Sequence, residues 1–411
     1  MQIFMRTLLS FLLLPTLGFA AQSTEGNPSI LVDHLPGEQA EEIWAWTQEL
    51  IDEGSLAGAS AQVIRKGKVV YRGVHGELEL NSGRLVQGDS IFRIYSMTKA
   101  ITSVAVMQLI EQGQLKLDDP IHKYLPEWKN VTVLHKKDDG SWGEIPASTA
   151  ITVRHLLRHT SGLTAASFDR GELGRRYRKA QKNNAIESLD DFSRLLATLP
   201  LKHQPGAAWT YGHSTNILGR LIEVIAKKPF DTYVQEEIFD PLGMIDTHFR
   251  ISDEDLPRLA SVHETGDDKK VIGVAKGYLE AFRKPRPIPL GASGLVSTLE
   301  DYGRFQAMLL ANGKYADKQI LKPETVALML DPNDGKAQIP MARFGLGFML
   351  KGSKRTPLEV RFASWSGIAR TYFVNDHLTE TGSLLFTQTI PFNFKPGSGF
   401  QKMVQKVLET E

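Results

Sequence analysis

A serine and a lysine three residues apart stand at the mouth of a long apolar stretch. Ser96-Met97-Thr98-Lys99 opens into Ala100, Ile101, Val104, Ala105, Val106, Met107, Leu109 and Ile110, and Gly113 closes it. Residues three apart on a helix share a face, so a helix starting near Ser96 sets the lysine amine beside the serine hydroxyl. That pairs a nucleophile with a base. The first turn of a helix also carries unpaired N–H groups and the positive end of the helix dipole, which favour an anion forming on a substrate carbonyl. A helix apolar on nearly all sides is a buried helix, and burial favours the neutral amine that a base must be. Serine and lysine are common residues, so the pair alone recurs by chance and needs support from elsewhere in the chain.

Three other stretches could carry chemistry. Trp209-Thr210-Tyr211-Gly212-His213 precedes an apolar helical pattern of Ile217, Leu218, Leu221, Ile222, Val224 and Ile225. Gly212-His213-Ser214-Thr215-Asn216 reads as a damaged G-x-S-x-G elbow with Ser214 as nucleophile, but its last glycine is missing and no βαβ alternation surrounds it. His155 and His159 stand four apart, a spacing able to ligate a metal, without the intervening glutamate of a zinc protease or a further ligand cluster. A structural role is the simpler reading for that pair.

The elements that must position these residues follow from periodicity. Ala40, Ile43, Trp44, Trp46, Leu50 and Ile51 predict an N-terminal helix within residues 37–54. Residues 58–65 and 68–75 read as a hairpin joined at Lys66-Gly67. Residues 115–120 have turn chemistry, and residues 136–149 read as a polar surface loop. Thr152 can cap a short helix over residues 153–159, residues 171–184 read as an exposed polar segment, and Ser297 with Glu300 forms a capping box for a helix burying Tyr302, Phe305, Met308 and Leu309. Residues 344–350, 359–365, 371–375 and 383–389 read as strands, and residues 400–409 as a closing helix. Strands at both ends with helices between imply one sheet assembled from distant segments, a mainly helical lobe inserted in it, and a ligand cleft between the lobes. The expected boundaries put a sheet lobe at about residues 37–90 and 291–411 and a helical lobe at about residues 91–290.

Length and charge bound the function. A chain of 411 residues holds one large two-lobed domain with ample core, and a net charge of +1 indicates neither a nucleic-acid nor an anionic-membrane partner. The basic clusters Arg175-Arg176-Tyr177-Arg178-Lys179 and Arg283-Lys284-Pro285-Arg286 read as solvated surface. Residues 1–7 lead into an apolar run over 8–17 and then Gly18-Phe19-Ala20-Ala21, the pattern of a signal peptide cleaved after Ala20, too short to favour a membrane-spanning helix. With no cysteine anywhere, the expectation is an exported, disulfide-free enzyme in a bacterial periplasm or medium, comprising residues 21–411 and no integral membrane segment after cleavage.

Ser96-Met97-Thr98-Lys99, Tyr211-Gly212-His213 and Trp365-Ser366-Gly367 occur in the order S-x-x-K, Y-x-N, K-T-G, and together resemble the serine β-lactamase and penicillin-binding-protein superfamily. Arg158-His159-Thr160-Ser161-Gly162-Leu163, Pro241-Leu242-Gly243-Met244 and Gly294-Leu295-Val296-Ser297-Thr298 add to the likeness, which runs from about Gly37 to the C-terminus. Within the superfamily the chain resembles the class C β-lactamases and the family VIII carboxylesterases. The resemblance implies an α+β, β-lactamase/transpeptidase-like fold, with an antiparallel sheet flanked by N- and C-terminal helices and a helical lobe inserted. It further implies that Ser96 is the acylated nucleophile, that Lys99 takes or relays its proton, and that Tyr211 is the second proton carrier, a phenol whose anion a nearby lysine cation favours. The oxyanion hole would be the N–H groups of Ser96 and Ile368, with Gly367 letting that strand edge approach the substrate.

Two positions depart from the pattern. His213 replaces an asparagine that would hold the amine of Lys99 and the substrate amide; its imidazole can donate one hydrogen bond or pack. Trp365 replaces a lysine that binds a substrate carboxylate, which an indole cannot do. Arg370, three residues beyond Gly367, could restore a cation. An aromatic wall suits an uncharged acyl or alcohol group. The expectation is therefore a serine hydrolase acting as a carboxylesterase on small esters, with β-lactamase or D-alanyl-D-alanine peptidase activity and a non-catalytic muropeptide-binding or partner-binding role as alternatives. Neither a metal nor an organic cofactor is implied, the partner being a small ester, amide or β-lactam.

Overall fold

The computed structural model describes residues 29–276, 288–332, 343–352 and 360–409. The proposed leader and the Arg283–Arg286 cluster lie outside them. No helix among the described residues is long and apolar enough to cross a membrane.

Strands from the two ends of the chain form one eight-stranded sheet. Its members are β1 (Ile30–Asp33), β2 (Gly58–Arg65), β3 (Lys68–Gly76), β4 (Arg343–Phe344), β5 (Met349–Lys351), β6 (Phe362–Ser366), β7 (Tyr372–Asp376) and β8 (Thr381–Thr387). They lie in the order β1-β3-β2-β8-β7-β6-β5-β4. Every neighbouring pair is antiparallel. The closure of N-terminal against C-terminal chain is the β2–β8 ladder, Ala59 opposite Thr387 through Arg65 opposite Thr381.

Side-chain alternation on these strands sorts two cores. Ala59, Ala61 and Val63 of β2 and Leu385 of β8 pack with Ala40 and Ile43 of α1 (Gly37–Asp52) and Phe400, Val404 and Val407 of the C-terminal helix Lys395–Leu408. Leu384 and Phe386 of β8 turn to the opposite face, into the larger core shared with the helical lobe. At the centre of that core is α2 (Thr98–Glu111), buried from Thr98 to Leu109 on all sides. The fold is the antiparallel sheet flanked by terminal helices that the resemblance implies.

Several local expectations are corrected. Ser96 lies just before α2, in the single 3-10 turn Tyr95–Met97, with Tyr95 at φ +45°. Residues 136–149 are not an open loop: Thr132–Lys136 pairs with Trp142–Pro146 as a hairpin turning at Asp139-Gly140. Residues 171–184 form a helix, α3 (Glu172–Asn183), whose inward side is Leu173, Gly174 and Tyr177. The basic cluster there is thus only partly solvated, since Tyr177 is fully buried and Arg176 pairs with Glu172 and Glu144. Thr298, not Ser297, caps the helix Leu299–Leu310 by accepting from Asp301 N–H at 3.2 Å; Ser297 Oγ bonds Thr247 Oγ1 instead. Residues 344–350 split into β4 and β5 around a turn in which Gly347 takes φ +99° and a Cβ would strike Ser103.

Candidate active site

The turn before α2 is pinned from three sides. Met97 N–H donates to Ile94 O, Ile94 N–H donates to Leu295 O, and Gly367 packs so closely on Ile94 and Tyr95 that a Cβ would meet Ile94 O at 2.7 Å. Gly367 therefore allows the strand edge to approach the turn that carries Ser96. From this turn Ser96 presents a half-buried hydroxyl. Lys99, one turn on and only 3% exposed, donates to Ser96 Oγ at 3.3 Å. The helical relation of Ser96 and Lys99 survives the change from 3-10 to α geometry.

Tyr211 arrives from the loop before α4 (Ser214–Ala226) and donates from its phenol to Ser96 Oγ at 2.8 Å. Lys99 Nζ lies 4.7 Å from the centre of the Tyr211 ring. Gly212 is needed beside it because a Cβ would collide with the Leu163–Thr164 backbone. Around the phenol stand Trp209, stacked at 5.9 Å, His159 at 5.1 Å, Phe168 edge-on at 5.0 Å and Trp365 at 5.6 Å.

Two residues that the sequence reading gave no role at the lysine complete its surroundings. Lys99 Nζ donates at 2.6 Å to the carbonyl of Ala292, and the N–H of that same residue donates at 2.8 Å to Asn216 Oδ1 on α4. Thr102 Oγ1 also donates to Gly291 O at 2.8 Å. The small-residue run Gly291-Ala292-Ser293-Gly294 was the available signal: at Gly291 a Cβ would meet Thr215 O at 2.8 Å, so only a thin segment passes between α2 and α4.

The sheet supplies the opposite wall. Trp365 and Ser366 are half-buried on β6, and Trp365 meets Phe344 edge-to-face at 5.2 Å. Gly367 N–H donates to Thr371 O at 2.8 Å, whereas Ile368 N–H finds no partner among the described residues. Arg370 does not restore a cation. Its backbone turns through φ +67°, and the buried guanidinium donates to Pro391 O at 3.1 Å and Ser55 O at 3.3 Å, away from Ser96.

His213 does not replace the amide on the lysine. Its ring turns into the helical lobe, parallel to Tyr177 at 6.4 Å and edge-on to Phe192 at 5.0 Å, with Nδ1 3.3 Å from Asn216 and Nε2 3.3 Å from Gln181. Ser214 is fully buried against Ser161 at 2.9 Å, which removes it as a nucleophile. His155 serves the capping box of the helix Val153–Leu157, while His159 lies beyond that helix at φ +56°, so the two rings do not share a helical face.

Burial, aided by the Lys99 charge, lowers the pKa of His159 to about 3 and of His213 to about 4; burial alone takes His75 to about 3 against the opposing pull of Asp52. An unfolded histidine titrates near 6.5, so below that pH the unfolded chain gains protons that these rings refuse. Their contribution to stability is fully present above about pH 6.5 and is lost as pH falls toward 3–4. Asp301, raised by burial to about 6, and the raised Glu223 act in the opposite sense. Burial lowers His155, His203, His263 and His377 in the same sense, so seven histidines stand against two carboxyls; Tm should fall between pH 7 and pH 5, and less steeply in His75→Phe. A Tm that rises over this interval would contradict the assignment.

The arrangement of Ser96, Lys99 and Tyr211 on such a fold can be set beside known proteins. A family model described as Beta-lactamase matches residues 43–403. The chain belongs to the beta-lactamase family. Within this family it is 28% identical over 367 residues to esterase EstB of Burkholderia gladioli, covering 83% of this chain and 88% of that one. It is 32% identical over 294 residues to the lovastatin esterase of Penicillium rubens, covering 70% and 72%. Among solved structures, EstCE1, described as a hydrolase with promiscuous acyltransferase activity, superimposes with a TM-score of 0.73 at 25% identity over 90% of this chain and 98% of its own. Simvastatin synthase of Aspergillus terreus shares the fold, with a TM-score of 0.77 at 23% identity over 91% and 98%. This beta-lactamase-family chain is a serine hydrolase.

Proposed function

We propose that the protein is an exported carboxylesterase of small, uncharged esters that works through an acyl-Ser96 intermediate. The observation that carries this reading is the convergence of Tyr211 and Lys99 on Ser96 Oγ, at 2.8 and 3.3 Å, beside a wall on which Trp365 stands where the family pattern has a lysine. The Ser96 proton passes to the Tyr211–Lys99 pair as Oγ bonds to the ester carbonyl carbon. The N–H groups of Ser96 and Ile368 hold the developing oxyanion. As the C–O bond breaks, the proton goes to the alcohol oxygen and the acyl group stays on Ser96. Water repeats the sequence and releases the acid. Lys99 is fixed for this by the Ala292 carbonyl, and Asn216 holds that residue in turn through its N–H.

Trp365 and the withdrawn Arg370 support esters over substrates that need a carboxylate anchor, such as cephalosporins and D-alanyl peptides. Similarity to the two esterases points the same way. Export rests on the leader pattern of residues 1–20, so N-terminal sequencing of the periplasmic protein should begin at Ala21. In a substrate panel, p-nitrophenyl acetate and butyrate should exceed nitrocefin and a D-alanyl-D-alanine peptide in kcat/KM by at least about tenfold, the worth of one lost charge-assisted contact. Nitrocefin turnover faster than that of either ester would refute the preference.

A further inference from the structure

We infer that Phe168 is a specificity-determining residue that selects, with Tyr211 and Trp365, substrates carrying a flat aryl group next to the scissile ester. The inference deepens the esterase reading and rests on it. Phe168 is 54% exposed, and a single exposed phenylalanine would mean little by itself. Its place is what matters, because its ring meets the phenol of Tyr211 edge-on at 5.0 Å.

The segment that carries Phe168 is held rather than left to swing. Phe168 N–H donates to Ala165 O at 2.9 Å, and Arg178 of α3 donates to Ala166 O at 2.7 Å and Asp169 O at 3.1 Å. Asp169 Oδ1 accepts from Gly171 N–H at 2.9 Å, and its carboxylate pairs with Lys202 at 3.2 Å. Gly174 packs so tightly on Asp169 that no Cβ fits. An exposed aromatic fixed this firmly beside the phenol is preorganised for contact with a ligand.

The chemistry of the corner narrows the ligand. Trp365 approaches the same phenol at 5.6 Å from the sheet side, so the exposed ring and the indole offer edges and faces to a planar group. A cationic group is disfavoured, because Lys99 already occupies the phenol ring at 4.7 Å. A carboxylate lacks the Arg370 guanidinium, which is bonded to carbonyls elsewhere. A neutral aryl group meets both conditions, and offset or edge-on ring pairing adds a preference of roughly 2- to 10-fold over a saturated ring of equal size.

Two ester pairs test this: ethyl phenylacetate against ethyl cyclohexylacetate, and benzyl acetate against cyclohexylmethyl acetate. The wild type should favour the aryl member of at least one pair by about 2- to 10-fold in kcat/KM. Phe168→Leu should bring that ratio close to one, and Phe168→Tyr should retain it. The ratio is the readout because a merely structural change lowers both members alike. A wild type without aryl preference in either pair, or a Phe168→Leu variant that keeps the preference, overturns the inference. Absence of turnover on all four esters would instead overturn the ester reading beneath it.

Discussion

Ser96→Ala should lose ester hydrolysis by on the order of 10^5-fold in kcat, the scale of removing a nucleophile whose partners then have nothing to activate. The geometry explains why no neighbour takes over. Ser214, the nucleophile of the rival elbow reading, is fully buried against Ser161. Ser366 lies on β6 of the opposite wall. The Ser96 side chain is half-buried and its loss creates no large cavity, so thermal unfolding should stay close to that of the wild type. The check is a steady-state assay on p-nitrophenyl acetate with labelling by a fluorophosphonate: the wild type is marked and Ser96→Ala is not. Retained labelling in Ser96→Ala would place the nucleophile elsewhere.

Tyr211→Phe should lower kcat by about 10^2- to 10^4-fold, the range of general acid–base catalysis, because it removes only the oxygen 2.8 Å from Ser96 Oγ. The ring and its contacts with Trp209, His159, Phe168 and Trp365 remain, so the loss reports proton transfer rather than packing. Lys99→Met should produce a loss of similar size while filling the buried space left by the lysine stem. In the proposed mechanism the two residues act on one proton, so the double variant should be little slower than the slower single one. Losses that multiply would show that tyrosine and lysine serve separate steps, and activity surviving both changes would remove them from the mechanism.

Which parts of the site were legible in sequence follows from how local their causes are. Ser96 and Lys99 are three residues apart, so helical geometry alone brought them together, and residues 58–65 and 383–389 read as strands from their own composition. Tyr211 came from the ordered motif, not from periodicity. The lysine's acceptor stayed hidden because Ala292 lies 193 positions away and acts through its backbone, which no residue type betrays. Arg370 and His213 stayed open in the sequence because of features below pattern resolution: a residue at φ +67° aims its side chain off the strand's alternation, and an imidazole that can stack on Tyr177 turns away from a polar site. Helix α3 was missed because its inward stripe is only Leu173, Gly174 and Tyr177 amid basic residues. The cap at Thr298 was ambiguous, since Ser297 with Glu300 and Thr298 with Asp301 have the same spacing.

The central claim is that an acyl group is held covalently on Ser96 during ester hydrolysis. Trypsin cleaves after Arg93 and Lys99, so residues 94–99 form one short peptide containing this serine. Acid quenching of the wild type during turnover of p-nitrophenyl butyrate, followed by peptide mass spectrometry, should show that peptide with one added butyryl group, and Tyr211→Phe should alter how much accumulates. A butyryl group on any other peptide, or none on residues 94–99 while p-nitrophenol is still being released, would contradict the account.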